Sequence, residues 1–212
     1  MNATTIVRIA SLIGEAGRIQ MLMILLDGDA HSASELATAA DVSPQTASSH
    51  LSKLLSGGLI ASERHGRQRL FRLKNRDVAA AIEALGALAH DPATPPLPEI
   101  RFARTCYDHL AGVLAITVRN ELLRQGAFLH RADGFHVTVK GKGLLQNLDL
   151  DPDALSKLRR SFAHPCLDWT ERHHHIGGAV GAALLSCFLR RNWLARVRGS
   201  RAVRVSCGRT GL

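Results

Sequence analysis

Apolar residues in the first ninety positions recur with a helical period in four places and alternate like a strand in one. Ile6, Ile9, Ala10 and Ile13 form one stripe over residues 4–13; Val78, Ile82, Leu85 and Ala89 form another, on a helix expected from Asp77 to His90. Between them, Leu36, Ala37 and Ala40 predict a short helix that starts after Ser32 or Ser34 and stops near Asp41 and Val42. Ala47, Leu51, Leu54 and Leu55 predict the next helix, with Ser43 as its cap and Pro44 at its first position. A missing N–H costs nothing there, because that donor has no partner inside the helix. Gly57 and Gly58 end it, and LIASERHG followed by RQRLFRL alternates about a turn at His65-Gly66, which reads as a hairpin.

The other faces of the Pro44 helix carry Gln45, Thr46, Ser48, Ser49, His50, Ser52 and Lys53. These groups are mostly short and able to donate or accept hydrogen bonds, so they can approach base edges closely. Gln45 suits the N6/N7 edge of adenine, Thr46 and Ser49 can bond several bases, and Lys53 suits a phosphate. The hairpin adds charge: Arg64, Arg67, Arg69, Arg72, Lys74 and Arg76 lie within thirteen residues. A wing of this kind fits a phosphate backbone or a minor-groove edge. Charge runs are commonly solvated faces. The joint order of cap, proline, hydroxyl-rich helix, double glycine and basic hairpin favours binding to duplex DNA.

ELATAADVSPQTASSHLSKLLSGGLI followed by ERHGRQRLFRL resembles the winged helix-turn-helix of the ArsR/SmtB family of bacterial transcriptional repressors, with S-x-x-T-x-S-x-H-L and G-L-I in order. The resemblance covers about residues 1 to 90. It implies a homodimeric repressor that binds a DNA operator and is released by a ligand. It carries the DNA contacts onto Ser43, Gln45, Thr46, Ser48, Ser49, His50 and Lys53, with Arg67 in the wing; Arg64 and Arg69 flank it there. The family's best-known metal sites are not matched: no cysteine lies near ELAT, and the helix from Asp77 to His90 lacks the paired Asp/His and His/Glu sets. The apolar stripes outside the motif suggest a dimer, since two operator half-sites require two copies.

Four of the seven prolines lie in HDPATPPLP, so residues 91–100 are expected to be a linker between a domain at 1–90 and a sensor or accessory domain at 101–212. Formal net charge is +9, but the first ninety residues hold nine Lys/Arg against eight Asp/Glu, so +8 belongs to the remaining 122. Seven arginines lie between Arg190 and Arg209. Charge alone also allows a non-specific nucleic-acid-binding protein. Neither a long apolar run nor a signal-peptide pattern is seen, so the chain is expected in the cytoplasm, without membrane partners. There the four cysteines, Cys106, Cys166, Cys187 and Cys207, read as thiols, metal ligands or core residues.

Residues 106–141 and 166–208 form an internal repeat. Cys106-Tyr107-Asp108 matches Cys166-Leu167-Asp168; after six inserted residues, Trp169 to His174, an offset of 66 aligns His109 with His175, Gly112 with Gly178 and Val137 with Val203. Each copy is expected to run from Cys-x-Asp into a helix of about sixteen residues, then a polar bend and a short strand. The fold class is therefore α+β and mainly helical: a winged helix-turn-helix domain followed by a second small winged-helix-like domain with an internal repeat.

Thiol, imidazole and carboxylate groups make Cys106, Asp108, His109, Cys166, Asp168 and His175, with His173 and His174, candidate ligands for a divalent metal such as zinc. If WTERHHH is helical, Asp168, Glu171 and His175 share one face. The bland alternative is buried thiols and a helix-capping Asp168. The inducer is thus a metal, an oxidant acting on Cys106 or Cys166, or a small organic molecule. No phosphate loop or nucleophile elbow accompanies Cys166, His173 and Asp168, and no catalytic residue is expected.

Overall fold

The computed structural model describes residues 2–66, 68–89, 96–197 and 200–206, and it divides into two compact units, Met1–Leu85 and Gly86–Leu212. Arg67 of the wing, His90 at the end of the expected first domain, Asp91 to Pro95 of the expected linker, Cys207 and two of the C-terminal arginines, Arg198 and Arg209, lie outside the described residues.

In the first unit α1 (Ala3–Ile13) is followed by α2 (Ala16–Ile24), a helix for which the apolar pattern makes no prediction. The Glu15 carboxylate caps α2 by accepting from the Gly17 and Arg18 N–H groups. Arg18 turns back, donating from Nε to the Leu12 carbonyl at 2.6 Å and from Nη2 to that of Ser11 at 2.9 Å. Those carbonyls close α1, where no intrahelical donor remains for them.

The motif helices fall close to their expected limits. β1 (His31–Ser32) leads into α3 (Ala33–Ala39), and it is Ser32, not Ser34, that caps α3, in a reciprocal box with Glu35. Asp41 turns the chain at φ 51°, and α4 (Pro44–Ser56) starts from Ser43, whose Oγ accepts the Thr46 N–H at 3.1 Å. β2 (Ile60–His65) and β3 (Gln68–Leu73) form the hairpin, with β1 on the far side of β3. His65 still pairs with Gln68, so the turn starts after His65, one residue later than the alternation suggests. Gly66 supplies the left-handed φ of 60° that a tight hairpin turn needs. Met21, Leu22, Leu36, Leu51, Leu54 and Leu73 form the core. α5 (Arg76–Leu88) buries Ala79 and Ile82.

The second unit runs α6 (Pro98–Phe102), β4 (Arg104–Cys106), β5 (His109–Ala111), α7 (Val113–Arg124), β6 (Phe128–Arg131) and β7 (Gly134–Val137). After α8 (Val139–Asn147) and α9 (Pro152–Ser156) the same order returns as β8 (His164–Leu167), β9 (His174–Gly177), α10 (Gly178–Arg190), β10 (Leu194–Arg196) and β11 (Val203–Val205). Each copy is a hairpin, a helix and a second hairpin. The expected sixteen-residue helix is shorter in both, at 12 and 13 residues, because the positions just after Cys-x-Asp form the returning strand of a hairpin.

The repeat offset of 66 has a backbone counterpart in Gly112, at φ 86°, and Gly178, at φ 85°, both at the start of a helix. A Cβ would lie 2.6 Å from the Arg101 carbonyl oxygen at the first and 2.7 Å from that of Ser161 at the second. Only glycine meets both demands. The copies exchange partners: α10 packs on β5, α7 packs on β9, and β5 adjoins β9. Leu122, Phe128, Phe135, Leu145, Val180 and Leu184 fill the core between them. No single helix among the described residues is long and apolar enough to cross a membrane.

Candidate nucleic-acid interface and Cys/His cluster

α4 buries Ala47, Leu51 and Leu54 and leaves Gln45, Thr46, Ser48, Ser49, Ser52 and Lys53 in solvent. Ser43 and Thr46 are exposed too, but their hydroxyls are 2.9 Å apart and serve the helix cap. His50 departs from the expected set. It is buried, with Nε2 3.2 Å from Glu15 Oε2 and its ring against Gly17, so it joins α4 to α2 and cannot meet a base. The helical period explains the miss: position 50 lies between Ala47 and Leu54 on the inward face, and a polar residue can occupy such a site when a buried partner waits for it.

In the wing, Arg64 and Arg69 are exposed. Arg69 is already positioned: Nε and Nη2 donate to Ser62 Oγ at 3.0 and 2.9 Å, and the guanidinium lies 5.3 Å from the Phe71 ring centre. Ser48, Ser52, Arg69 and Phe71 line one groove, so the outer face of α4 and the hairpin form a continuous surface.

In the second unit the repeat brings its chemistry to a point. Cys106 sits across the β4–β5 hairpin from His109, and Cys166 across the β8–β9 hairpin from His175. The two sulfurs are 3.9 Å apart and the two Nε2 atoms 3.1 Å apart. One ligand atom from each of these four residues lies within 4.8 Å of every other. Cys106, His109 and His175 are buried, and Cys166 is partly open.

Each imidazole turns its other nitrogen to a carboxylate of its own repeat. His109 Nδ1 is 3.2 Å from Asp108 Oδ1, and His175 Nδ1 is 3.4 Å from Asp168 Oδ2. Each carboxylate is held in turn by an arginine from the other half of the unit: Arg160 Nη1 lies 2.9 Å from Asp108 and Arg104 Nη2 lies 3.0 Å from Asp168. Arg104 and Asp168 are wholly buried, and the Arg104 guanidinium lies 4.8 Å from the centre of the Trp169 ring. Burial alone would raise the Asp168 carboxyl; the facing His175, the Arg104 charge and the Gly112 N–H outweigh it and hold the group well below the usual carboxylate range. Burial likewise works against protonated His175, yet Asp168 and the Cys106 sulfur bring it up to about 9.

Of the residues expected as metal ligands, the cluster unites Cys106, His109, Cys166 and His175. Asp108 and Asp168 stand behind the histidines, because their oxygens are taken up by arginine, backbone and Thr170 donors. His173 and His174 are exposed. The segment after Asp168 is a turn, not a helix: Asp168 Oδ1 accepts from the Thr170 and Glu171 N–H groups, and Arg172 is left-handed at φ 57°. Sequence reasoning missed Arg104 and Arg160, whose partners lie more than fifty residues away.

A helix-turn-helix domain model matches residues 18–63. The chain is 42% identical over 208 residues to the uncharacterized HTH-type transcriptional regulator YdfF of Bacillus subtilis, covering 95% of this chain and 92% of that protein. It is 31% identical over 120 residues to the HTH-type transcriptional regulator Rv0324 of Mycobacterium tuberculosis, covering 57% of this chain and 50% of the relative. Among solved structures, the homodimeric winged helix-turn-helix DNA-binding domain of Mb0332 from Mycobacterium bovis, a possible ArsR-family transcriptional regulator, is 29% identical with a TM-score of 0.38, covering 41% of this chain and 79% of that one. Reduced HlyU from Vibrio cholerae is 28% identical with a TM-score of 0.39, covering 42% and 94%.

Proposed function

The chain belongs to the helix-turn-helix transcriptional regulators, its first unit resembling the ArsR type, and from that premise we propose that it is a homodimeric repressor that binds a palindromic operator. The observation that carries this reading is the solvent face of α4, where Gln45, Ser48, Ser49 and Lys53 share one exposed polar surface with Arg69 alongside. Gln45 and Ser49 are assigned to base edges, Lys53 and Arg64 to phosphates. Ser43 and Thr46 shape the helix start. His50 is not part of the contact set.

Dimerisation is supported by apolar surface that the described residues leave exposed. α1 buries none of its residues, Ile6 and Val7 are 51% and 66% exposed, and on α5 Leu85 and Leu88 are 42% and 85% exposed. A symmetric pair would cover these faces and set two α4 helices at operator spacing. An inducer would release the operator by favouring a dimer in which that spacing is lost. Such a protein works in the cytoplasm, beside the DNA.

A mobility-shift titration of the full chain on the promoter of its own gene tests the proposal. The expected result is a complex that survives excess unrelated DNA at moderate salt and is lost in Gln45→Ala/Ser49→Ala. Binding that is equal on all sequences and steeply salt-dependent would make the protein a non-specific nucleic-acid binder and remove the repressor reading.

A further inference from the structure

The chemistry-bearing side chains of the second unit converge from both copies of the repeat on the place where β5 adjoins β9. Nδ1 of each histidine faces a carboxylate, and the two Nε2 atoms face each other at 3.1 Å. At that distance the two Nε2 atoms either share a proton in an N–H···N bond or turn both lone pairs to a bound cation. Two cysteine sulfurs, 3.9 Å apart, complete the group.

We propose that Cys106, His109, Cys166 and His175 form a closed four-ligand site for a divalent cation of the Zn(II) class, placed where the two repeats meet. The ligand set is soft and borderline, as zinc prefers, and it lacks the oxygens that calcium or magnesium would require. Two of the six ligand–ligand edges fit as well. Tetrahedral zinc with bonds of about 2.3 Å to sulfur and about 2.05 Å to nitrogen places two sulfurs about 3.8 Å apart and two nitrogens about 3.3 Å apart. The observed 3.9 and 3.1 Å lie within a few tenths of an ångström of both edges.

The surroundings complete the case. Metal-bound histidines commonly give their second nitrogen to a carboxylate that is itself held in place; here His109 meets Asp108, held by Arg160, in a hydrogen bond, and His175 Nδ1 lies 3.4 Å from Asp168, held by Arg104, without hydrogen-bond geometry. Binding displaces one proton from each thiol and any proton held on the two Nε2 atoms, so the ion, two thiolates and two neutral imidazoles form a neutral group in a buried setting. Four protein ligands leave no open coordination position for substrate, which makes the ion a clamp between the repeats, not a catalyst. Cys166, the one partly open ligand, marks the way in. The proposal stands apart from the operator reading, because none of its residues belongs to the first unit.

The test uses the full chain without added histidine tags, purified in reductant with no chelator. One zinc per chain is expected by elemental analysis. Replacement by Co(II) should give the intense visible bands of a tetrahedral site together with sulfur-to-cobalt charge transfer. Cys106 and Cys166 should resist alkylation until a chelator is added. Cys166→Ser should lose the charge-transfer intensity of one sulfur and bind zinc at least tenfold more weakly. Because ligand variants can fail to fold, Asp108→Asn provides a milder probe: it keeps all four ligands, and zinc affinity measured against a chromophoric competitor should fall about 10–100-fold. A reduced, folded chain that takes up neither zinc nor cobalt, or whose two thiols alkylate equally fast with and without zinc, overturns the site. So does zinc binding that is unchanged in Cys166→Ser and Asp108→Asn. Operator binding plays no part in these readouts, so either proposal can fail alone.

Discussion

In the first unit the side chains with most to offer a partner, Gln45, Ser48, Ser49 and Lys53, stand on the solvent side of α4, while in the second Cys106, His109, Asp168 and His175 are drawn inside. The same kinds of polar atom are used in opposite ways. On α4 the core beneath is fully apolar at Ala47, Leu51 and Leu54, so the outer face is free of folding duty apart from its cap. In the second unit Arg104 is paired with Asp168 and Arg160 with Asp108, and removing either guanidinium leaves a carboxylate without its charged partner. Substitutions should therefore separate cleanly: stability without recognition in one place, recognition without stability in the other.

The largest effect is expected at Arg104→Ala, which leaves the wholly buried Asp168 carboxylate without its guanidinium. A loss of about 3–5 kcal/mol is expected in denaturant unfolding of the full chain; a midpoint near that of the unaltered protein would show that the ion pair is not needed. Next come Gly112→Ala and Gly178→Ala, which force a left-handed residue against a carbonyl oxygen in each repeat. Each should cost about 1–3 kcal/mol, and by similar amounts. Gly143→Ala, with open space around the added carbon, is the control. Strongly unequal costs would break the correspondence between the copies.

Ser49→Ala and Gln45→Ala should shift operator discrimination by about 1–3 kcal/mol and leave unfolding within about 0.5 kcal/mol of the parent. His50→Ala should do the reverse, lowering stability through the lost contact with Glu15. If His50→Ala left stability alone and changed base preference, its assignment to the interior would be wrong.

The smallest effect concerns pH. The Asp27 carboxylate, 2.7 Å from Nε2, raises the His31 imidazole against the opposing influence of burial, helped by Asp29 and Glu35. A group raised on folding gives its full stabilisation below its ordinary value of 6.5 and loses it as pH climbs through the raised one. The stability advantage over His31→Asn should thus be largest in mild acid and shrink toward alkaline pH, as read from denaturant midpoints. An advantage that is constant across that range would contradict it.

Sequence alone settled what local chemistry can settle. Ser43 before Pro44 fixed the start of α4 to the residue, and the three-four spacing of Ala47, Leu51 and Leu54 fixed its inner face, because both signals act within one or two turns of helix. The repeat was legible too, since an offset of 66 survives in the residues that the backbone most constrains, Gly112 and Gly178. Tertiary structure decided the rest. That His50 turns inward depends on Glu15, thirty-five positions earlier in another helix. That Asp168 serves a histidine and not a helix cap depends on Arg104, sixty-four positions away. And that Cys106, His109, Cys166 and His175 meet at one point depends on two hairpins from separate copies coming together, a long-range contact that no local pattern encodes.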